Sequence, residues 1–386
     1  MSITQIDKQY VAGTYNRFPV EIVRGQGSEC WDADGKRYID MGSGIGVTAF
    51  GYADEAWQAA VTAQLGVLQH TSNLYYTEPC AKLAQVLCER TGMSKVFFAN
   101  SGAEANECAI KVARKYAADK KGEDHYVILT LQNSFHGRTL TTLAATGQDH
   151  FHALFQPLTP GFVTIPANDV AALEAAVKEH KVAGILFECV QGEGGVLPLA
   201  ADYVKAVADI CAANDILLMV DEVQTGNGRT GSLYAFQQFG ITPDVVTTAK
   251  GLGGGLPIGA CMMNAKCESV LGFGDHGSTY GGNPVCCAGA LNVIGRIDDA
   301  LLDEVKAKSA YVFDRLSKAT GVKSVSGMGL MIGVECEKPV GEVLTACREA
   351  GVLALSAKTK LRLLPPLNIP MALLEEAIDV IMEALK

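Results

Sequence analysis

Lys250 stands in DVVTTAKGLGGGLPIG, behind an apolar run and ahead of a cluster of glycines that leaves it uncrowded. A lysine so placed can be a desolvated amine, and such amines form Schiff bases with carbonyl compounds. Asp221 closes the apolar run of ILLMVDEVQTG. An ionised carboxylate at the end of a buried strand needs a partner. A metal ion is one candidate, but the chain has no G-x-x-x-x-G-K-[ST] phosphate loop. A protonated ring nitrogen is another. In Asn100-Ser101-Gly102-Ala103-Glu104, Ser101 can cap a helix, with Glu104 completing a capping box. The free N–H groups and positive end of that helix would suit an anion, and Gly102 would let a phosphate approach the backbone. Phe135-His136-Gly137-Arg138-Thr139 offers an aromatic to stack on a planar ring and an arginine to clamp a carboxylate bidentately. No serine or cysteine nucleophile pattern accompanies His136, so its expected role is a structural hydrogen bond.

Two glycine-rich fragments are less specific. Gln191-Gly192-Glu193-Gly194-Gly195 carries a carboxylate in a loop, and Gly277-Ser278-Thr279-Tyr280-Gly281-Gly282-Asn283-Pro284 carries hydroxyls ahead of a helix. Taken singly, every one of these fragments is also what turns, caps and solvated strand ends contain. Taken together they specify a planar, cationic ring bearing an aldehyde and a phosphate. Lys250 takes the aldehyde, Asp221 the ring nitrogen, Ser101–Ala103 the phosphate and Phe135 a ring face. That ligand is pyridoxal 5'-phosphate. Gly226-x-Gly228-x-x-Gly231 matches the dinucleotide fingerprint literally. It follows its strand only after DEVQT, and GSLYAFQQFG beyond it holds no acid, which argues against dinucleotide binding.

These residues need elements to hold them. Lys95–Ala99, Tyr126–Thr130, Val182–Phe187, Ile216–Val220 and Val245–Thr248 are short apolar runs, with helical spacing over Gly102–Ala118 and near Ala201–Ala213. Continuous apolar runs between amphipathic helices predict a parallel sheet covered on both faces. Val20–Val23, Glu29–Trp31 and Arg37–Asp40 read as short strands, with Asp34-Gly35 as a hairpin turn. Asn283–Ala300, Leu302–Ala319 and Met371–Leu385 read as helices, and Ser326–Cys336 as one extended segment. The expected fold class is α/β. A large domain with a mostly parallel sheet spans 51–282, and the N-terminal segment 1–50 joins 283–386 in a smaller α+β domain.

The 386 residues are 48% hydrophobic, enough for a large core. A net charge of −10 argues against nucleic acid and against an anionic membrane surface as partners. No apolar run approaches the roughly 18 residues that cross a bilayer. The start, MSITQIDKQYVAG, lacks the basic and apolar regions of a signal peptide, so a cytoplasmic protein is expected. The 12 cysteines include no C-x-x-C and none at zinc spacing to a histidine. Buried reduced thiols are expected, and no metal.

The ordered set ANSGAEANE, FHGRT, ECVQGEGG, DEVQTGNGRTG, TTAKGLGGGLPIGA, HGSTYGGNP and LRLLPPL resembles the class III, or ornithine-type, pyridoxal-phosphate aminotransferases over essentially the whole chain. The resemblance implies a fold type I transferase. It implies that Lys250 is the Schiff-base lysine and proton shuttle, and that Asp221 is the partner of the ring nitrogen. Gly102 and Ala103, with Ser101 beside them, would bind phosphate through the backbone. Phe135 and Val223 would sandwich the ring, Gln224 would contact its hydroxyl, and Glu222 would join the cofactor-binding set. Thr279 would reach the phosphate of the other subunit, so a homodimer with shared active sites is implied. Arg138 and Ser278 would contact substrate, Arg138 through a carboxylate. Arg362 would grip the α-carboxylate of glutamate or 2-oxoglutarate, Glu193 would mask it when the other donor is bound, and Tyr15 would lie near the substrate. Three departures stand out: GYADEAW replaces the usual Gly-His-x-His-Pro, Cys189 a common proline, and Asn227 a common apolar residue. Ornithine-specific relatives tend to carry tyrosine where this chain has Ile45, which favours an acylated donor. The implied reaction moves the terminal amine of N2-acetyl-L-ornithine to 2-oxoglutarate, in arginine biosynthesis. Succinylornithine, ornithine, 4-aminobutyrate and an acylated lysine-pathway amine are alternative donors. A nicotinamide-dependent dehydrogenase and a non-catalytic binding protein are the alternatives of other classes.

Overall fold

The computed structural model describes residues 2–386. Its centre is a seven-stranded sheet of Lys95–Ala99 (β1), Val127–Leu131 (β2), Phe162–Ile165 (β3), Val182–Phe187 (β4), Leu217–Asp221 (β5), Val245–Thr248 (β6) and Gly259–Met263 (β7). The strand order is β1-β7-β6-β5-β4-β2-β3. All pairs from β6 to β3 are parallel. β7 runs antiparallel to both β6 and β1. The carboxyl ends of β1, β2, β4, β5 and β6 therefore share one edge, where parallel α/β sheets bind their ligands.

Each apolar run expected to be a strand is one, within a residue. β4, β5 and β6 are buried throughout, as strands covered on both faces must be. Leu217–Asp221 ends on the aspartate itself, so Asp221 belongs to the strand. β7 was not expected, because Gly259 and Ala260 are weak strand formers. Pairing selects it. Gly259 lies opposite Ala99, and a Cβ at this glycine would stand 2.2 Å from the carbonyl oxygen of Ser101. Only a glycine lets β7 pass so close to the start of the next helix.

The helix Gly102–Lys121 buries Ala105, Ala109, Val112, Ala113 and Tyr116 against one face of the sheet. Ala201–Ala213 packs on the other side, against β4 and β5. Several helices are legible only in the structure, two of them beside the site's supporting helix. Glu55–Leu65 fully buries no residue and Glu78–Thr91 only Leu83 and Leu87, so neither has a strong apolar stripe. Both pack on Pro284–Arg296.

The chain ends meet in two smaller sheets. Ile22–Gln26, Glu29–Asp32 and Arg37–Asp40 form an antiparallel meander, joined in parallel by Val352–Leu353. Val322–Met328, Met331–Cys336, Lys360–Leu363 and Leu355–Ala357 form the other. Ser326–Cys336, expected as one extended segment, is instead most of a hairpin that folds back at Gly329-Leu330. Gly329 has φ +59°, a turn conformation that a simple extended reading misses. Among the described residues no helix is long and apolar enough to cross a membrane. Among the same residues, no cluster of three or more His, Cys, Asp or Glu side chains could hold a metal. All twelve cysteines are free, and only Cys80 and Cys88 are partly exposed.

Candidate active site

A cavity of about 460 Å³ opens at the carboxyl edge of the central sheet. Ser101, Gly102, Ala103, Phe135, Arg138, Asp221, Val223, Gln224 and Lys250 all line it. Four separate strand ends deliver these side chains, which explains how fragments as far apart in sequence as Ser101 and Lys250 converge.

Lys250 opens a 3-10 turn, Lys250–Leu252, with a left-handed φ of 45°. Such a φ is uncommon outside glycine, asparagine and aspartate, and at a functional position it is held by its surroundings. Enclosure by the cavity walls pushes the Lys250 amine below its ordinary pKa, and the carboxylates of Asp221, Glu193 and Glu188 act against that.

Asp221 is buried with its carboxylate fully engaged. Oδ2 accepts from Asn106 Nδ2 at 2.7 Å and from His136 Nδ1 at 2.8 Å, and Oδ1 accepts from the Val223 amide at 3.0 Å. Facing an acceptor, His136 carries its proton on Nδ1. Its Nε2 is buried with no partner. His136 thus positions Asp221, in line with its expected hydrogen-bonding role. Asn106 also donates to the His136 carbonyl and accepts from Thr247 Oγ1, tying helix, loop and β6 to this one carboxylate.

Sequence reasoning missed Asn106 and Glu188. Glu188 lines the cavity and accepts from the amides of Phe135 at 3.0 Å and Gly192 at 3.2 Å. Burial pushes its pKa up to about 7; His136 opposes the rise and Asp221 adds to it. The signal for Glu188 was an acid ending the apolar run VAGILF, the pattern that marked Asp221. The signal for Asn106 was a polar residue one turn after Gly102 in an alanine-rich helix.

At the helix start, Ser101 Oγ accepts from the Glu104 amide at 3.2 Å. The expected capping box is shifted by one residue, because Glu104 Oε2 accepts from the Asn100 amide rather than that of Ser101. Gly102 and Ala103 supply first-turn N–H groups without intrahelical acceptors. A Cβ on Gly102 would stand 2.6 Å from Val223 Cγ1. This position therefore has to stay bare where the helix start meets the cavity.

Arg362 is buried on Lys360–Leu363 and pairs with Glu193, and its Nη1 also donates to Gln224 Oε1 at 3.2 Å. Arg362 Nε has no partner. Arg138 lies exposed at the mouth, its guanidinium 4.6 Å from the Phe151 ring centre and 5.7 Å from that of Phe135. Ile45 is the third of four consecutive residues with left-handed φ, two positions before Val47 on the cavity wall.

Other expected site residues lie elsewhere. Glu222 turns away from the cavity. Its buried carboxylate accepts from the Phe236 amide at 2.7 Å and Thr225 Oγ1 at 2.5 Å. Side chains alternate along an extended segment, so Asp221 and Glu222 face opposite ways. Ser278 and Thr279 line a separate groove beside Asn100 and Glu104. Tyr15 is 74% exposed and outside the cavity. The literal fingerprint at Gly226–Gly231 opens no helix; a Cβ on Gly228 would stand 2.9 Å from Leu367.

The family model that matches this chain, over residues 10–385, is Aminotransferase class-III. The chain belongs to that family. An acetylornithine aminotransferase from Haemophilus ducreyi is 52% identical over 99% of this chain and 98% of its own. Among solved structures, the ornithine aminotransferase from Toxoplasma gondii superposes with a TM-score of 0.95 at 33% identity, covering 99% of this chain and 94% of that one. The N-acetylornithine aminotransferase from Stenotrophomonas maltophilia superposes with 0.86 at 34% identity, covering 99% and 98%. As a class III aminotransferase the chain is a transaminase that works with pyridoxal 5'-phosphate, and the cavity fits that group. It combines a desolvated amine, a braced buried carboxylate, an aromatic and a valine wall, and a helix start kept bare by Gly102.

Proposed function

We propose that this transaminase moves the terminal amine of N2-acetyl-L-ornithine to 2-oxoglutarate, giving N-acetyl-L-glutamate 5-semialdehyde and L-glutamate. The carrying observation is the meeting of Lys250 and Asp221 in one cavity, with Arg362 held in reserve by Glu193 beside it. When bound, pyridoxal phosphate supplies a carbonyl for the amine and a cationic ring that draws electrons from the carbon bearing it. Phe135 and Val223 would hold the ring between them, the Gly102 and Ala103 amides the phosphate, Gln224 the ring hydroxyl, and Asp221 the protonated ring nitrogen. The three hydrogen bonds that Asp221 accepts hold its carboxylate in place beside the cavity.

Lys250 takes and returns the proton at its Nζ. Its lowered pKa favours the neutral amine, the form that a base requires. Arg138 at the mouth takes the donor's carboxylate. While the acylated donor is bound, Glu193 neutralises Arg362. When 2-oxoglutarate enters, Glu193 swings off and Arg362 takes the α-carboxylate. Ser278, Thr279 and Tyr15 complete the site in a homodimer, with Thr279 serving the partner's phosphate site. The large domain is 51–282, and 1–50 with 283–386 builds the small one. The protein works in the cytoplasm, in arginine biosynthesis.

The donor assignment is supported by the names of the relatives and by Ile45, whose apolar side chain offers no hydroxyl to a free α-amine. The test is the visible absorbance of the purified protein before and after N-acetylornithine or ornithine. A yellow band bleached preferentially by N-acetylornithine is expected. Equal or better bleaching by ornithine would move the donor to the ornithine group, and no band after added pyridoxal phosphate would overturn the Lys250 assignment.

A further inference from the structure

Asn227 has no part in the cavity, yet it is buried with an unusual set of contacts. It adopts φ 57°, a left-handed conformation that asparagine tolerates better than most residues. Its Nδ2 donates to Thr248 Oγ1 at 3.0 Å and to the Ala249 carbonyl at 3.1 Å. Its Oδ1 is buried without a partner. The orientation of the amide is not arbitrary. The Ala249 carbonyl can only accept, so the nitrogen must face it and the oxygen is left unpaired.

The Ala249 carbonyl belongs to the same peptide plane as the Lys250 amide. That plane sets the rotation about the Lys250 N–Cα bond, where φ is 45°. Asn227 also comes close to the next residue, since a Cβ on Gly251 would stand 3.2 Å from Asn227 Cβ. On its own side, Asn227 follows the Asp221–Gly226 segment, which closes on itself through the Gly226 amide and Glu222 carbonyl at 2.9 Å. One side chain thus clamps the loop that carries Asp221 to the loop that carries Lys250.

We infer that Asn227 is a positioning residue for Lys250: its amide anchors the Ala249 peptide and holds the lysine in the left-handed backbone that aims its amine into the cavity. The inference rests on the reading of Lys250 as the reactive amine. The unpaired buried oxygen is the cost of turning the nitrogen toward the Ala249 carbonyl.

Two substitutions test it in the holoenzyme. Asn227→Gly keeps the left-handed backbone and removes the amide. Asn227→Asp keeps shape and backbone but turns an oxygen that accepts only toward the Ala249 carbonyl. In the glycine variant kcat should fall about tenfold, the scale of one lost hydrogen bond, with donor KM unchanged within about twofold. The aspartate variant should lose more. The pH at which the visible band changes should shift in both, a readout that a merely structural contact would leave alone. The decisive arm repeats Asn227→Gly in a Lys250→Ala background supplied with methylamine as a diffusible base. A residue that acts through Lys250 should then cost nothing further. An equal loss in both backgrounds, or an unchanged kcat and band midpoint in Asn227→Gly, would overturn the inference. If the glycine variant does not accumulate, the aspartate variant carries the same comparison. Full activity in Lys250→Ala without amine would instead sink the reading of Lys250 itself.

Discussion

On the cavity floor, Asp221 accepts three hydrogen bonds from three different parts of one chain, and Glu188 braces two more backbone amides. Outside the cavity, Tyr15 is 74% and Tyr280 63% exposed, and Ser278 and Thr279 face a groove of their own. Phe273, a few residues before them, stands fully in solvent. The floor has every polar group of its central carboxylate paired within the chain. These outer segments leave aromatic side chains in water. The difference suggests a division of labour. Under the homodimer proposed above, chemistry is fixed within the subunit and the outer segments are completed by a second copy.

The largest expected effect breaks the floor. Lys250→Ala should abolish turnover, a loss of at least the ~10²–10⁴-fold that a positioned acid–base group contributes. Normal activity in that variant would end the proposed function. The same variant sharpens the comparison when co-expressed with Thr279→Ala. If Thr279 serves the partner's site, a mixed dimer holds one doubly damaged site and one intact site, and activity returns. If Thr279 serves its own subunit, every site is damaged and no activity returns.

How much of this was legible in the sequence follows the same division. The floor could be read because each of its parts ends an apolar run or starts a helix, a local pattern with a physical reason. β7 and the Val322–Cys336 hairpin could not, because glycines there serve close approach and turning rather than propensity. Glu222 was legible by motif yet turned out to face the other way, since a motif fixes neighbours and not the side on which each side chain lies. Asn106, Glu188 and Asn227 escaped because their function is to hold other residues, and that is visible only once the partners are in place.

A smaller effect is expected at the boundary of the two regions. Arg138 is exposed and stands against Phe151 and Phe135, with no carboxylate of its own chain paired to it among the described residues. Arg138→Ala should raise KM for the donor by roughly 10- to 100-fold, the value of a charged hydrogen-bonded contact, while cofactor content stays the same. Steady-state kinetics decide it, and an unchanged KM would remove Arg138 from the site.

The smallest effect separates Asp221 from its neighbour. Burial pushes the Glu222 carboxyl up to about 7, helped by the charge of Asp221 and opposed by its bonds to Thr225 and Phe236. The folded state therefore holds this proton more tightly than the unfolded chain, where an ordinary glutamate titrates near 4.3. Between these two values the folded state binds more protons, so the Glu222 contribution to stability is present below about 4.3 and is lost as pH rises through about 7. Glu222→Gln removes the titration. Its amide oxygen can still accept from the Phe236 amide and its nitrogen can donate to Thr225 Oγ1. Relative to the parent, the glutamine variant should gain thermal stability between pH 5 and pH 8 by a few degrees, at about 1.4 kcal/mol per pKa unit as an upper bound. Because Glu222 faces away from the cavity, kcat and cofactor content should hold within about twofold. Melting curves that stay parallel across that range would show that Glu222 keeps its charge in the fold. A loss of cofactor would return Glu222 to the binding set and erase the line between the two adjacent carboxylates.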